Sequence, residues 1–421
     1  MGDEAATVIN EERLSSVPWG ELQHAYGSAG NIPERLRSFA ALCTKKLVTE
    51  DERKQFDDAR GNWYADVFHQ GTVFSVSSRV APFMIDVFNH KECSPTARSF
   101  IADYLHNLVH PYFYDLFPQR IDVAQLMAVA KDADDIVGNN NALINGDFEA
   151  LPDVDERTQN AAFVRFARDT YVAVESGVES IVQTVRGAFE TIAPDTLMRV
   201  ASLLACFPRK KDVIVPLLWS MVKDKKPIIG SIALVAIVQL GESKDVHQFA
   251  VGYRKGSDDE ASLYGAASEL LLRVNQGPTS EPNITTQDAE VCVLNRKWSG
   301  SKFPCPLAGS VRLLVSRLIV HAFATPIRDD ALVLLGENLA LTQGMGQVEF
   351  VQAICTVTKM NERGSNPLSP EQRRAVELFA KHVTWVNGIF GNVAAIFRAN
   401  GLPYNKQKLL EMLEPVPAAT E

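Results

Sequence analysis

The chain has 421 residues, 46% of them hydrophobic and 22% charged, with a mean hydropathy of −0.05. That composition excludes disorder as a whole-chain state and leaves room for two or three domains or one elongated array. Forty-two basic against 51 acidic residues give a formal charge of −9. This is the wrong sign for affinity gained by neutralising phosphates, so nucleic acid is not the expected partner.

Apolar residues recur almost throughout at helical period, and the alternation of half-buried strands is nearly absent, so the expected class is all-α. The first helix opens at Asn31-Ile32-Pro33-Glu34, an N-cap followed by a first-turn proline, with Leu36, Phe39, Ala40 and Leu42 along one face. A second is expected over 50–68, closed by Gly71, and further helices over 79–89, 94–109 and 121–130. Residues 131–156 are crowded with Asp and Asn and read as a polar loop and the main boundary. Beyond it, 157–190 reads as two helices or one broken one.

A repeat signal follows. Ala201, Ala233 and Ala266 recur 32 and 33 residues apart in similar apolar stretches, as expected of one helix pair per unit with small residues where helices approach. Residues 276–306 are rich in breakers and read as a second insertion, and helices are expected again over 311–323, 329–341, 348–359, 370–386, 392–399 and 407–413. The predicted organisation is therefore N-terminal helical repeats over 1–130, a polar loop over 131–156, central repeats over 157–275, a linker over 276–306, and C-terminal repeats with a cap over 307–421.

Searches for chemistry come back empty. There is no GxxxxGK[ST] loop, and Gly344-Met345-Gly346 lacks a third glycine; no GxSxG elbow exists. His106 and His110 stand four apart, but Asn107 occupies the position of an HExxH glutamate, and a helix end before Pro111 explains the pair better. Asp132-Ala133-Asp134-Asp135 resembles a calcium loop start, but Val137 and Leu143 stand where the loop needs glycine and glutamate. No catalytic residue, metal or cofactor is expected. The six cysteines, 43, 93, 206, 292, 305 and 355, form no CxxC pair and are expected as reduced thiols of a cytoplasmic protein. The acidic start, Met1-Gly2-Asp3-Glu4, carries no apolar run, so no secretory signal is expected. The longest apolar run, around 228–240, is too short for a membrane span.

Two clusters are candidate binding sites. The first holds Trp19, His24 and Tyr26, with Trp63, His69 and Gln70 further on; the second holds Trp385 and Asn392. Aromatics supply contact area while histidine and amide groups supply direction. The alternative is structural: Trp19 and Tyr26 close the end of the array, His69 bonds a backbone carbonyl, and Gly401-Leu402-Pro403 is a helix stop.

The stretches His24-Ala25-Tyr26-Gly27-Ser28-Ala29, His69-Gln70-Gly71-Thr72-Val73-Phe74 and Ala81-Pro82-Phe83, with Leu368 to Arg374 and Gly401-Leu402-Pro403 near the end, resemble HEAT-repeat-containing proteins common in bacteria, especially actinobacteria. The resemblance implies an α-solenoid of antiparallel helix pairs, and no particular reaction; the two polar insertions depart from its compact pattern. The expected function is a non-catalytic scaffold that binds a protein partner. The rivals are an enzyme or small-molecule-binding protein using Tyr26, His69 and Gln70, and a nucleic-acid-binding HEAT protein.

Overall fold

The computed structural model describes residues 8–45, 49–69, 72–116, 123–147, 154–276, scattered positions between 332 and 362, 366–385 and 391–414. The described residues are mostly helical, and they divide into two compact units, Met1–Glu242 and Ser243–Glu421. None of the described helices is long and apolar enough to cross a membrane.

The first unit contains α1 (Glu11–Ser16), α2 (Ile32–Cys43), α3 (Glu50–Asp66), α4 (Ser77–Asn89), α5 (Pro95–Leu116), α6 (Val123–Val137), α7 (Asn141–Asn145), α8 (Glu156–Ser176), α9 (Val178–Gly187), α10 (Pro194–Leu204), α11 (Lys211–Asp224) and α12 (Pro227–Gln239). Two hairpins of two-residue strands complete it: β1 (Gln23–His24) with β2 (Gly27–Ser28), and β3 (Phe68–His69) with β4 (Thr72–Val73). Pairing of β3 with β4 is why α3 stops at Asp66, short of the expected 68. α3 begins on a capping box, in which Thr49 and Glu52 satisfy each other's backbone amides.

The expected polar loop over 131–156 is corrected in its first part. α6 continues to Val137 because Leu126, Ala130, Ala133 and Val137 recur at helical spacing and are buried, and α6 packs against α8. Asp132 and Asp135 lie on the exposed face, while Asp134 pairs with Arg165 and Arg168 of α8. Polarity here marks a solvated helix face. Gly138, at φ 53°, ends α6, and the Asn140 side chain caps α7. Because α6 and α8 belong to one packed unit, the stretch is not the main boundary; the division at 242/243 instead cuts the block expected over 157–275. α5 likewise does not end before Pro111 but runs on to Leu116.

Further along, α9 packs on α11, α10 on α12, and α11 on α12. The helix of Ala233 is buried nearly all round, and Ala201 and Ala233 are themselves fully buried. Ion pairs join Asp134 to Arg168, Glu175 to Arg209, Glu179 to Lys210, Glu190 to Lys225 and Lys211 to Glu242, across 34, 34, 31, 35 and 31 residues. Each exposed pair adds at most about 1 kcal/mol; their value is as a ruler of chain geometry.

In the second unit, α13 (Val246–Arg254) packs against α14 (Asp259–Gln276). Gly265 sets how close they come: a Cβ there would lie 2.7 Å from the Arg254 nitrogen and 2.8 Å from the Ala250 oxygen. Ala266 beside it is fully buried. α15 (Pro370–His382), α16 (Gly391–Ala399) and α17 (Lys406–Glu411) follow, with Gly401 at φ 65° after α16, the expected helix stop. The insertion expected over 276–306 lies, beyond Gln276, outside the described residues, as do Cys292, Cys305 and the helix expected over 311–323.

Candidate functional site

The first hairpin is held from both sides. The Ala25 amide donates to the Asp66 carbonyl at 2.9 Å, at the end of α3, while the Val76 amide donates to the Gln23 carbonyl at 3.3 Å and the Gln23 amide to Ser75 Oγ at 2.9 Å. The turn Ala25-Tyr26 thereby lies beside the start of the second hairpin, and Gly27, at φ 115°, supplies a backbone conformation that an L side chain resists.

His24, Tyr26 and His69 converge here. His24 is buried, and its Nδ1 accepts the Tyr26 amide at 3.1 Å. Asn31 stands at the N-cap of α2 but makes no cap hydrogen bond with its side chain. Tyr26 is 67% exposed and meets the His69 ring edge-on at 5.5 Å. His69 Nδ1 lies 2.9 Å from the Ala65 carbonyl. A carbonyl only accepts, so Nδ1 carries the proton and the neutral ring keeps Nε2 as an acceptor. The expected alternative for His69, a bond to a backbone carbonyl, is therefore present together with the contact to Tyr26.

Behind the hairpin, Arg35 pairs with Asp66 and lies over the Trp63 ring, 5.1 Å from its centroid. Trp63 is 1% exposed and packs with Phe39 at 5.8 Å and Tyr104 at 6.4 Å, so it is core. Trp19 is core as well: its Nε1 donates to the Leu14 carbonyl at 2.7 Å, and its ring packs on Phe83. Gln70 lies outside the described residues. Trp385 and Asn392 belong to the second unit; Trp385 Nε1 donates to the Phe379 carbonyl at 3.4 Å and its ring meets Phe397, and Asn392 lies in the first turn of α16.

Sequence reasoning missed Asn31, Arg35 and Asp66 as neighbours of His24. Arg35 and Asp66 stand 31 residues apart, too far for a local pattern to pair them. Sequence reasoning also missed a polar network between α3, α5 and α10. Tyr64 Oη donates to Asp103 at 2.9 Å and accepts from Asn107 at 3.2 Å, while Arg199 joins Asp103 to Asp195. Burial, then the Asp103 charge, raises the Tyr64 hydroxyl well above its ordinary value, so it remains a donor. Partners 39 and 96 residues apart leave no local pattern.

The hairpin gives a pH prediction. Burial is the main cause that lowers the His24 pKa from 6.5; the Arg35 charge adds to it, while Asp66 and Asn31 oppose it. Folding thus favours neutral His24, whose stabilisation is fully present above pH 6.5 and is lost as the pH falls through the lower folded value. His24→Asn, whose Oδ1 can still accept the Tyr26 amide, is expected to lose less Tm than the wild type between pH 7.5 and 5. Parallel Tm curves across that range would overturn the assignment.

Among the described residues no group of three or more His, Cys, Asp or Glu could hold a metal ion. Away from the hairpins, a surface groove of ≈ 580 Å³ between α9 and α11 is lined by Arg186, Phe189, Asp212, Val213, Pro216, Leu217 and Ser220. No family model, curated protein or solved structure matches the chain.

Proposed function

We propose that the chain is a HEAT-like α-solenoid scaffold that binds a protein partner, with Tyr26 as an anchor. The observation that carries the binding role is Tyr26 itself: a large aromatic, 67% exposed, on a turn tied down by hydrogen bonds and steadied by the His69 ring. A pre-oriented aromatic offers contact area at little entropic cost, which is the property of interface anchors. The solenoid reading is supported by ion pairs that link residues 31 to 35 apart, by the alanine spacing, and by the packing of α9 on α11 and α10 on α12. A photo-crosslinking residue placed at position 26 in cells is expected to capture one discrete protein, and the capture to vanish when His69→Ala loosens the turn. Labelling of no discrete species, or equal labelling from an exposed control position such as Tyr404, would sink the proposal.

The second reading is a small-molecule site. It is favoured by the convergence of Tyr26 with His69, whose Nε2 is an available acceptor in the neutral ring. Loss of partner capture on adding a metabolite extract, with a shift of the His69 imidazole resonances, would move the assignment to this reading.

A further inference from the structure

We infer that Cys43 and Cys93 are a disulfide-forming pair, oxidised by exchange with a small-molecule disulfide such as oxidised glutathione. Cys43 is the last residue of α2, and Cys93 lies in the turn between α4 and α5; they are 0% and 4% exposed. The backbone fixes their separation. The Ser94 amide donates to the Cys43 carbonyl at 2.8 Å. In a trans peptide the Cα preceding a donating amide lies on the same side as its hydrogen, about 3.5 Å from the acceptor oxygen, and that oxygen is about 2.4 Å from its own Cα. For a near-linear hydrogen bond the two cysteine Cα atoms are therefore about 6 Å apart or less, within the Cα separations that disulfides span, and both thiols are free in the structure.

The turn that carries Cys93 is itself well fixed. The Cys93 amide donates to the His90 carbonyl at 3.0 Å, and Arg98 donates to the carbonyls of Phe88 and His90 at 3.1 and 2.8 Å. Burial pushes the Cys93 thiol up to about 12 and raises Cys43 as well. Thiolate is the attacking species, so the folded, reduced pair reacts slowly and the bond is made while the chain folds. One thiolate attacks the small disulfide and releases one thiolate of it; the second cysteine then attacks the mixed disulfide and releases the other. The two protein thiols lose two electrons and two protons, and the small disulfide is reduced to two thiols.

The bond would close a loop of about 50 residues, long enough to restrict the unfolded chain strongly. The pairing is independent of the proposed partner binding. It is tested by refolding the full chain in a series of glutathione redox buffers, blocking free thiols with N-ethylmaleimide, and mapping peptides by mass spectrometry. A peptide pair linking Cys43 to Cys93 is expected at the oxidising end, with a Tm higher than that of the reduced protein by something on the order of 5 °C. Both effects are expected to vanish in Cys43→Ala and in Cys93→Ala and to persist in Cys206→Ala. Should either single variant fail to fold, the wild-type peptide map decides by itself. Recovery of both cysteines as blocked free thiols, as mixed disulfides with glutathione, or linked to other cysteines would overturn the inference.

Discussion

Replacing Glu269 by alanine is expected to cost on the order of 3 kcal/mol of stability, because it removes a buried carboxylate from its ion pair with the half-buried Arg254 guanidinium. Arg254 pairs with Glu269 between α13 and α14, the two side chains being 11% and 1% exposed, and His247 Nδ1 lies 3.6 Å from the same carboxylate. The position of Arg254 is fixed from the backbone too: Ser262 Oγ donates to its carbonyl at 2.7 Å, and Asp258 caps α14 just beyond. The double variant Arg254→Met with Glu269→Leu removes both charges and is expected to recover most of the loss, since an apolar pair of similar volume commonly equals a buried ion pair. Urea midpoints followed by far-ultraviolet circular dichroism measure both; a single-variant loss below about 1 kcal/mol would show that the pair is hydrated.

The second large effect is expected from Trp63→Ala, at about 3–5 kcal/mol. Trp63 sits among Phe39, Phe56, Phe100 and Tyr104, whose ring pairs lie 5.6–6.4 Å apart, and it carries Arg35 on its face. Truncation removes the largest side chain in that cluster and one support of the Arg35 and Asp66 pair. Tyr26→Ala, by contrast, is expected to change stability by no more than about 0.5 kcal/mol, as an exposed residue does. The contrast separates two residues that look alike in the sequence: one holds the fold, and the other is free to hold a partner. Urea denaturation of both variants checks it; similar losses would mean that Tyr26 is part of the core.

The pair shows how far the sequence is legible. Helical period located most helices, because a buried stripe recurs every three to four residues wherever a helix lies on a core. The same rule, weakened by surface charge, hid the end of α6, where Asp132 and Asp135 are the solvated side of a stripe formed by Ala130, Ala133 and Val137. Of the N-terminal candidates, residue type alone could not distinguish Trp63 from Tyr26. Aromatic side chains are enriched both in cores and in interfaces, and only the direction of the side chain tells which.

What the sequence by itself determined is the mostly helical class, the approximate extent of most described helices and the helix stop at Gly401. These are local properties, written in neighbours within a turn or two or in a fixed period. The tertiary structure decided the rest: that β1 and β2 bring His24 and Tyr26 to His69, that Arg35 and Asp66 stand behind them, and that the Ser94 amide reaches the Cys43 carbonyl. Each depends on which segments pack together, and packing is selected by the fit of whole faces, a sum over many weak contacts that no single residue or short motif records.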